Sequence, residues 1–228
     1  MKNILQICLN KIGSTLNEKE RKDLKELLTE FQEVFAWSYE DMLGIDPEIA
    51  QHHIDTYAHM VLVKQKLRRM RIKWLLKIKE EVIKQLKVGF IKLVHQVEWI
   101  AYVVPVPKKD EKVRMCVDFR DLNKACLKHD FPFPHIDVLV DNTTSLISFM
   151  DGFSRYNQIK MDPKNMTKTT FTIEWGIYCY TVLPFGLKNV GATYQRMATA
   201  LLHDMIMKSK DRGGHTINLR KFFERSKE

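Results

Sequence analysis

The stretch WIAYVVPVPKKDEKVRMCVDFRDLN, Trp99–Asn123, decides how the rest of the chain is read. Ile100–Pro107 is apolar and rich in β-formers, and within Lys112–Phe119 the residues Val113, Met115 and Val117 alternate with Arg114, Cys116 and Asp118. A period of two predicts a half-buried strand, and the polar run Lys108-Lys109-Asp110-Glu111 predicts the turn of a hairpin. Upstream, residues 74–88 read as a helix with Leu75, Ile78, Val82 and Leu86 inward, Gly89 placed to end it, and Lys73, Lys77, Lys84 and Lys87 on the opposite face. Residues 17–37 read as another, capped by Asn17 with Glu20 three residues on, and lined by Leu24, Leu27, Leu28, Phe31, Val34 and Phe35. Residues 38–63 are irregular; nothing near the His52-His53 pair completes a metal site. Downstream, Pro132 and Pro134 impose an extended entry to a short helix near 135–141. Strands are expected near 147–151, 168–174 and 178–183. A long helix, Leu187–Lys208, follows with Tyr194, Met197, Leu201 and Met205 on one stripe.

With 228 residues, 45% of them hydrophobic and 29% charged, the chain has ample material for a core and is not a disordered polyelectrolyte. The 37 basic residues outnumber the 28 acidic ones by nine. Eleven Lys and Arg lie between Lys64 and Lys92 against only Glu80 and Glu81, so this segment carries the whole excess. Such a concentration suits a polyanion partner, because each phosphate neutralised releases condensed counterions; a solvated helix face is the alternative. Cys8, Cys116, Cys126 and Cys179 show no metal-ligand spacing, which fits reduced thiols. The opening MKNILQICLNK is too short for a signal-peptide core, and no run approaches the roughly 18 apolar residues of a membrane span. A cytoplasmic or nuclear location is expected.

Five motifs run in order: WIAYVVPVPKK (Trp99–Lys109), VRMCVDFRDLN (Val113–Asn123), FPFPHIDVLVDN (Phe131–Asn142), FMDGFSRYNQI (Phe149–Ile159) and LPFGLKNVGATYQR (Leu183–Arg196). They resemble the fingers and palm of a reverse transcriptase, most closely the Pol polyprotein of plant gypsy-type (Metaviridae) long-terminal-repeat retrotransposons, and the likeness spans about residues 18–223. The resemblance implies an α+β fold. Residues 1–63 form its lead-in, 64–142 its fingers, 143–205 a partial palm and 206–228 a basic tail. It implies RNA-directed DNA polymerase chemistry, in which two Mg²⁺ ions held by carboxylates activate a primer hydroxyl and escort a deoxynucleoside triphosphate (dNTP) on an RNA or DNA primer–template.

Roles carry over residue by residue. Asp151, in FMDG, matches the family's first metal-binding carboxylate. Lys108 and Lys109 at the hairpin tip and Arg114 on its return strand match the cations that clamp the triphosphate. Tyr156 matches the aromatic that crowds a ribose 2′-hydroxyl; Pro184, Phe185 and Gly186 match the turn beside the base pair. Arg120 resembles a template contact, and Lys73, Lys77, Lys84 and Lys87 are the candidate phosphate-binding face.

The chain departs from that family at three points. Arg155 stands where a small residue is usual, and DNTTSLISFMDG is shorter than its counterparts. Above all, LLHDM (Leu201–Met205) runs straight into IMKSKDRGGH (Ile206–His215), where an aromatic-X-Asp-Asp hairpin should follow, and no Asp-Asp pair occurs in the sequence. The segment Lys208–Phe223 resembles what lies beyond that hairpin, so an internal deletion, or a misjudged exon boundary in the gene model, is read here in place of a simple truncation. The expectation is an incomplete palm sheet with unpaired edges, and a polymerase by descent that is catalytically dead. A non-catalytic nucleic-acid-binding remnant and a decayed reading frame are the rival readings. No protease, ribonuclease H or integrase signature appears, so the chain reads as one piece of a polyprotein.

Overall fold

The computed structural model describes residues 16–35, 38–42, 44–95, 97–107, 113–131, 146–147, 155–202, 208–209 and 214–225. In chain order the helices are α1 (Glu18–Glu30), α2 (Ile72–Lys87), α3 (Arg120–Ala125), α4 (Val190–Leu202) and α5 (His215–Arg225). The strands are β1 (Gln51–His52), β2 (Ile91–Leu93), β3 (Ala101–Pro107), β4 (Val113–Val117), β5 (Leu146–Ile147), β6 (Lys160–Met161), β7 (Phe171–Ile173), β8 (Gly176–Tyr180) and β9 (Lys208–Ser209). The chain divides into two compact units. The larger comprises Ser38–Phe133 and Ser154–Leu201; the smaller comprises Met1–Trp37, Pro134–Phe153 and Leu202–Glu228. No helix among the described residues is long and apolar enough to cross a membrane.

A five-stranded sheet in the order β2-β8-β7-β3-β4 organises the larger unit. The expected hairpin is present: β3 and β4 pair antiparallel from Val103↔Val117 to Pro107↔Val113. The start of β3 runs parallel to β7, with Ala101 opposite Phe171. Phe171 pairs in turn with Tyr178 of β8, which puts both rings on one face of the sheet. Thr169 and Thr170 bond back to the carbonyls of Met166 and Thr167 in a 3₁₀ turn, so β7 starts at Phe171, later than the expected residue 168. The last expected strand begins at Gly176 and ends at Tyr180, with Val182 making only an isolated bridge to Lys160. Elsewhere β1, inside the stretch 38–63 read as irregular, forms a short parallel ladder with β6.

Helix α2 buries Ile78 and Val82. Its end is a full Schellman motif: Gly89 takes φ +75°, its N–H donates to the Leu86 carbonyl, and the Phe90 N–H donates to that of Gln85. Leu86 does not face inward as expected but is exposed: four residues beyond Val82, it lies at the margin of the buried face, next to the row of Ile72, Leu76 and Ile83. Lys77, placed on the open face by its spacing, is half-buried.

Helix α4 starts at Val190, not Leu187. Asn189 holds a left-handed φ of 68°, incompatible with a helix interior, while its side chain donates to the Leu127 carbonyl and accepts from the His129 N–H. Nor does the helix reach Lys208, which lies in β9. Met197 is buried and Tyr194 half-buried on the expected stripe; Met205 lies outside the described residues.

In the smaller unit α1 carries the expected capping box. The Glu20 N–H donates to Asn17 Oδ1 at 2.8 Å, and the Asn17 N–H to Glu20 Oε2 at 2.9 Å. The helix ends at Glu30, earlier than its apolar pattern suggested, and gives way to a 3₁₀ turn over Gln32–Val34. Leu27 and Phe31 bury against Leu219 and Phe223 of α5, with the Phe31 and Phe223 rings 5.4 Å apart. In this unit β5 pairs antiparallel with β9, so the strand that leads toward Asp151 has Lys208–Ser209 alongside it. The expected short helix near 135–141 lies outside the described residues.

Candidate functional site

Two motifs that are separate in sequence meet in the larger unit. Tyr156, in the 3₁₀ turn Arg155–Gln158, sets its ring edge-on to Phe185 at 4.9 Å and to Tyr194 at 5.3 Å. Tyr156 is half-buried and Pro184 buried, whereas Phe185 is 67% exposed and offers a free aromatic face. Gly186 beside it has φ +95°, a conformation a side chain would strain. Asp151, Lys108 and Lys109 lie outside the described residues. Arg114 is exposed on β4, opposite Val106.

The turn carrying Phe185 is tied to α3 by a residue that sequence reasoning passed over. Asn123 Nδ2 donates to the Gly186 carbonyl at 2.7 Å, and Asn123 Oδ1 accepts from the Lys188 N–H at 2.7 Å. Lys188 Nζ adds a bond to the Cys126 carbonyl. The signal was present, since Asn123 closes VRMCVDFRDLN, but nothing local says what its amide reaches. Asn123→Ala removes both bonds and should destabilise the larger unit by about 1–3 kcal/mol. Urea unfolding would measure this, with faster hydrogen exchange at 186–188; a loss below about 0.5 kcal/mol would show that the turn is held by other contacts.

Arg120 is exposed but not a free cation. Its Nε and Nη2 bond both oxygens of Asp118 at 2.6–3.0 Å, and Nη2 also reaches Tyr102 Oη at 3.3 Å. Those bonds hold the Asp118 carboxyl far below the usual carboxylate range and raise Arg120 further. Arg68 lies over the face of the same Tyr102, 3.9 Å from the ring centre. Gln65 fastens this corner: its Nε2 donates to Asp121 Oδ2 at 2.9 Å, and its Oε1 accepts from the Tyr102 N–H at 2.9 Å. Two guanidinium groups thus share one tyrosine on a buttressed surface.

Of the four candidate lysines on α2, Lys73, Lys84 and Lys87 are exposed. His52 is buried with Nδ1 2.8 Å from Thr193 Oγ1, and His53 pairs with Asp162. Cys116, Cys126 and Cys179 are free thiols, and burial pushes the last two up. Among the described residues no three His, Cys, Asp or Glu side chains gather into a metal-binding group.

Comparison with known proteins shows the family and the fold. The family model described as "Reverse transcriptase (RNA-dependent DNA polymerase)" matches residues 106–219, half of the chain. The Pol polyprotein of transposon 297 from Drosophila melanogaster is 25% identical over 199 residues, which cover 85% of this chain and 18% of that protein. An RNA-directed DNA polymerase homolog from Oenothera berteroana is 32% identical over 96 residues, 41% of this chain and 68% of its own length. The foamy viral protease–reverse transcriptase solved with double-stranded DNA shares the fold: 98% of this chain superposes on 41% of that one with a TM-score of 0.80 at 21% identity. The chain therefore spans less than half the length of that structure and about a fifth of the transposon polyprotein. It belongs to the reverse transcriptase family, in the form carried by retrotransposon Pol polyproteins.

Proposed function

We propose that the chain is the fingers and palm of a plant gypsy-type reverse transcriptase, an RNA-directed DNA polymerase by descent that lacks a complete catalytic centre. The observation that carries the reading is the meeting of Tyr156 with Phe185 and Tyr194 beside the Gly186 turn, which builds a platform for a base pair and a sugar from two motifs. In this reading residues 64–142 are the fingers and 143–205 the partial palm. Arg120 and the exposed lysines of α2 face a primer–template, as the likeness to a structure holding double-stranded DNA supports. Lys108, Lys109 and Arg114 face a triphosphate, with Tyr156, Phe185 and Gly186 around its nucleoside.

The donor set does not fit the two ions of the family's reaction. Mg²⁺ takes hard oxygen ligands near octahedral geometry, and a two-ion site draws on carboxylates from more than one strand. Of the family's set this sequence supplies Asp151 alone, with no Asp-Asp pair anywhere.

Primer extension tests the reading directly. The purified chain should add no nucleotide to a primer on an RNA template with Mg²⁺ or Mn²⁺, and template-dependent incorporation abolished by Asp151→Asn would overturn the claim. Binding is a separate matter. Affinity for a primer–template duplex should fall steeply with salt, and Lys73→Gln, Lys84→Gln and Lys87→Gln should each flatten the log–log slope by about 0.9. A slope unchanged in the triple variant would mean that these lysines only solubilise the helix.

A further inference from the structure

Helix α2 carries an exposed apolar row that neither the core nor the candidate site uses. Ile72, Leu76, Ile83 and Leu86 are 75%, 54%, 42% and 36% exposed. With Lys79 between them they advance by four, three, four and three residues, so all five positions share one narrow stripe of the helix. The buried Ile78 and Val82 lie to one side of it, and Leu86, four residues beyond Val82, marks the border between the stripe and the buried face. Along the stripe's outer edge stand the exposed Lys73, Lys84 and Lys87, interrupted by Glu80. At its middle, Lys79 Nζ lies 5.0 Å from the centre of the Trp175 ring, itself 39% exposed, so the surface continues onto the turn between β7 and β8.

We propose that this stripe docks an acidic amphipathic helix of a partner protein. Steps of four and three are those at which one helix presents a seam to another, and large apolar side chains left in water gain most from such a seam. The lysines on the edge select the partner's charge: a helix with acids flanking its apolar row satisfies them while Ile72, Leu76 and Ile83 are covered. A nucleic acid meets the lysines but gains nothing from the isoleucines and the leucine. A second copy laid against the stripe would bring Lys79 and the lysine row against their own kind, which costs energy. Because a duplex and an acidic helix call on the same lysines, each should displace the other.

The test uses the whole chain and a synthetic three-heptad helical peptide with leucine at the seam positions and glutamate beside them, followed by fluorescence anisotropy. A matched peptide with lysine in place of glutamate and vesicles containing phosphatidylserine are the comparison arms. The glutamate peptide is expected to bind one per chain, and the lysine peptide and the vesicles not to bind. The triple variant Ile72→Gln, Leu76→Gln, Ile83→Gln should weaken that binding at least tenfold. Its melting temperature and its affinity for a primer–template duplex should stay unchanged, since the three side chains are outside the core and carry no charge. Equal binding of the peptide by variant and parent would overturn the proposal. So would vesicle binding lost in the variant, or sedimentation showing a dimer of the parent that the variant abolishes.

Discussion

Phe171→Ala should lower the unfolding free energy of the larger unit by about 3–5 kcal/mol. Phe171 is fully buried, sits in β7 between β3 and β8, and packs its ring against Tyr178 at 5.9 Å and Tyr180 at 5.3 Å. Truncation would leave a cavity between three strands whose backbones are fixed by their ladders, so the site collapses little. Against a typical total of about 5–15 kcal/mol the change is large enough to unfold a visible fraction of molecules at 37 °C. Urea titration followed by tryptophan fluorescence would measure it, with Phe171→Leu as the milder comparison. If alanine cost less than about 1 kcal/mol, the centre of the core would lie elsewhere.

Acid should act through His52 before it acts through any carboxylate. Burial first, then the positive charges of His129, His53 and Arg196, push the His52 imidazole from 6.5 down to about 4, with Asp55 opposing. Between those values the unfolded chain holds a proton on His52 that the folded chain does not. The contribution is therefore whole above pH 6.5 and shrinks as pH falls toward 4, by about 3 kcal/mol in all. The carboxyls of Asp118, Asp121 and Asp162 are held below their ordinary value, so their support is present above about pH 4 and is lost only below it. His52→Gln keeps a hydrogen-bonding group opposite Thr193 and cannot take up a proton. Its stability should fall less steeply from pH 7 to pH 4.5 than the parent's, with His215, whose imidazole burial also lowers, supplying what slope remains; parallel curves for the two chains would assign the acid sensitivity to another group.

Local chemistry made much of the fold readable. The Asn17–Glu20 box, the end of α2 at Gly89 and the alternation in β4 depend on neighbours within a few residues. Where the outcome rests on distant partners, periodicity misleads. Asn189 turns left-handed because Leu127 and His129 hold its amide, and Leu86, although four residues beyond the buried Val82, is left exposed at the margin of the core. The site divides in the same manner. Tyr156, Phe185 and Gly186 stand in recognisable motifs, whereas the clamp by Asn123 and the stacking of Arg68 on Tyr102 join residues far apart in sequence. Asp151, Lys108 and Lys109 lie outside the described residues, so their roles rest on the motif alone.

The pairing of α1 with α5 sets an order on biosynthesis. Leu27 and Phe31 find their partners Leu219 and Phe223 only after the intervening chain has been made. About 185 residues separate Glu30 from His215, and at a translation rate of roughly 5–20 residues per second that delay is on the order of 10–40 s. Until then α1 waits with its apolar face uncovered, while the whole of the larger unit, Ser38–Phe133 and Ser154–Leu201, is synthesised. A ribosome that stalls before codon 215 would release a chain whose first helix has no mate. Such truncated products are natural clients for chaperones and proteases, and the integrity of α5 would decide whether the smaller unit escapes them.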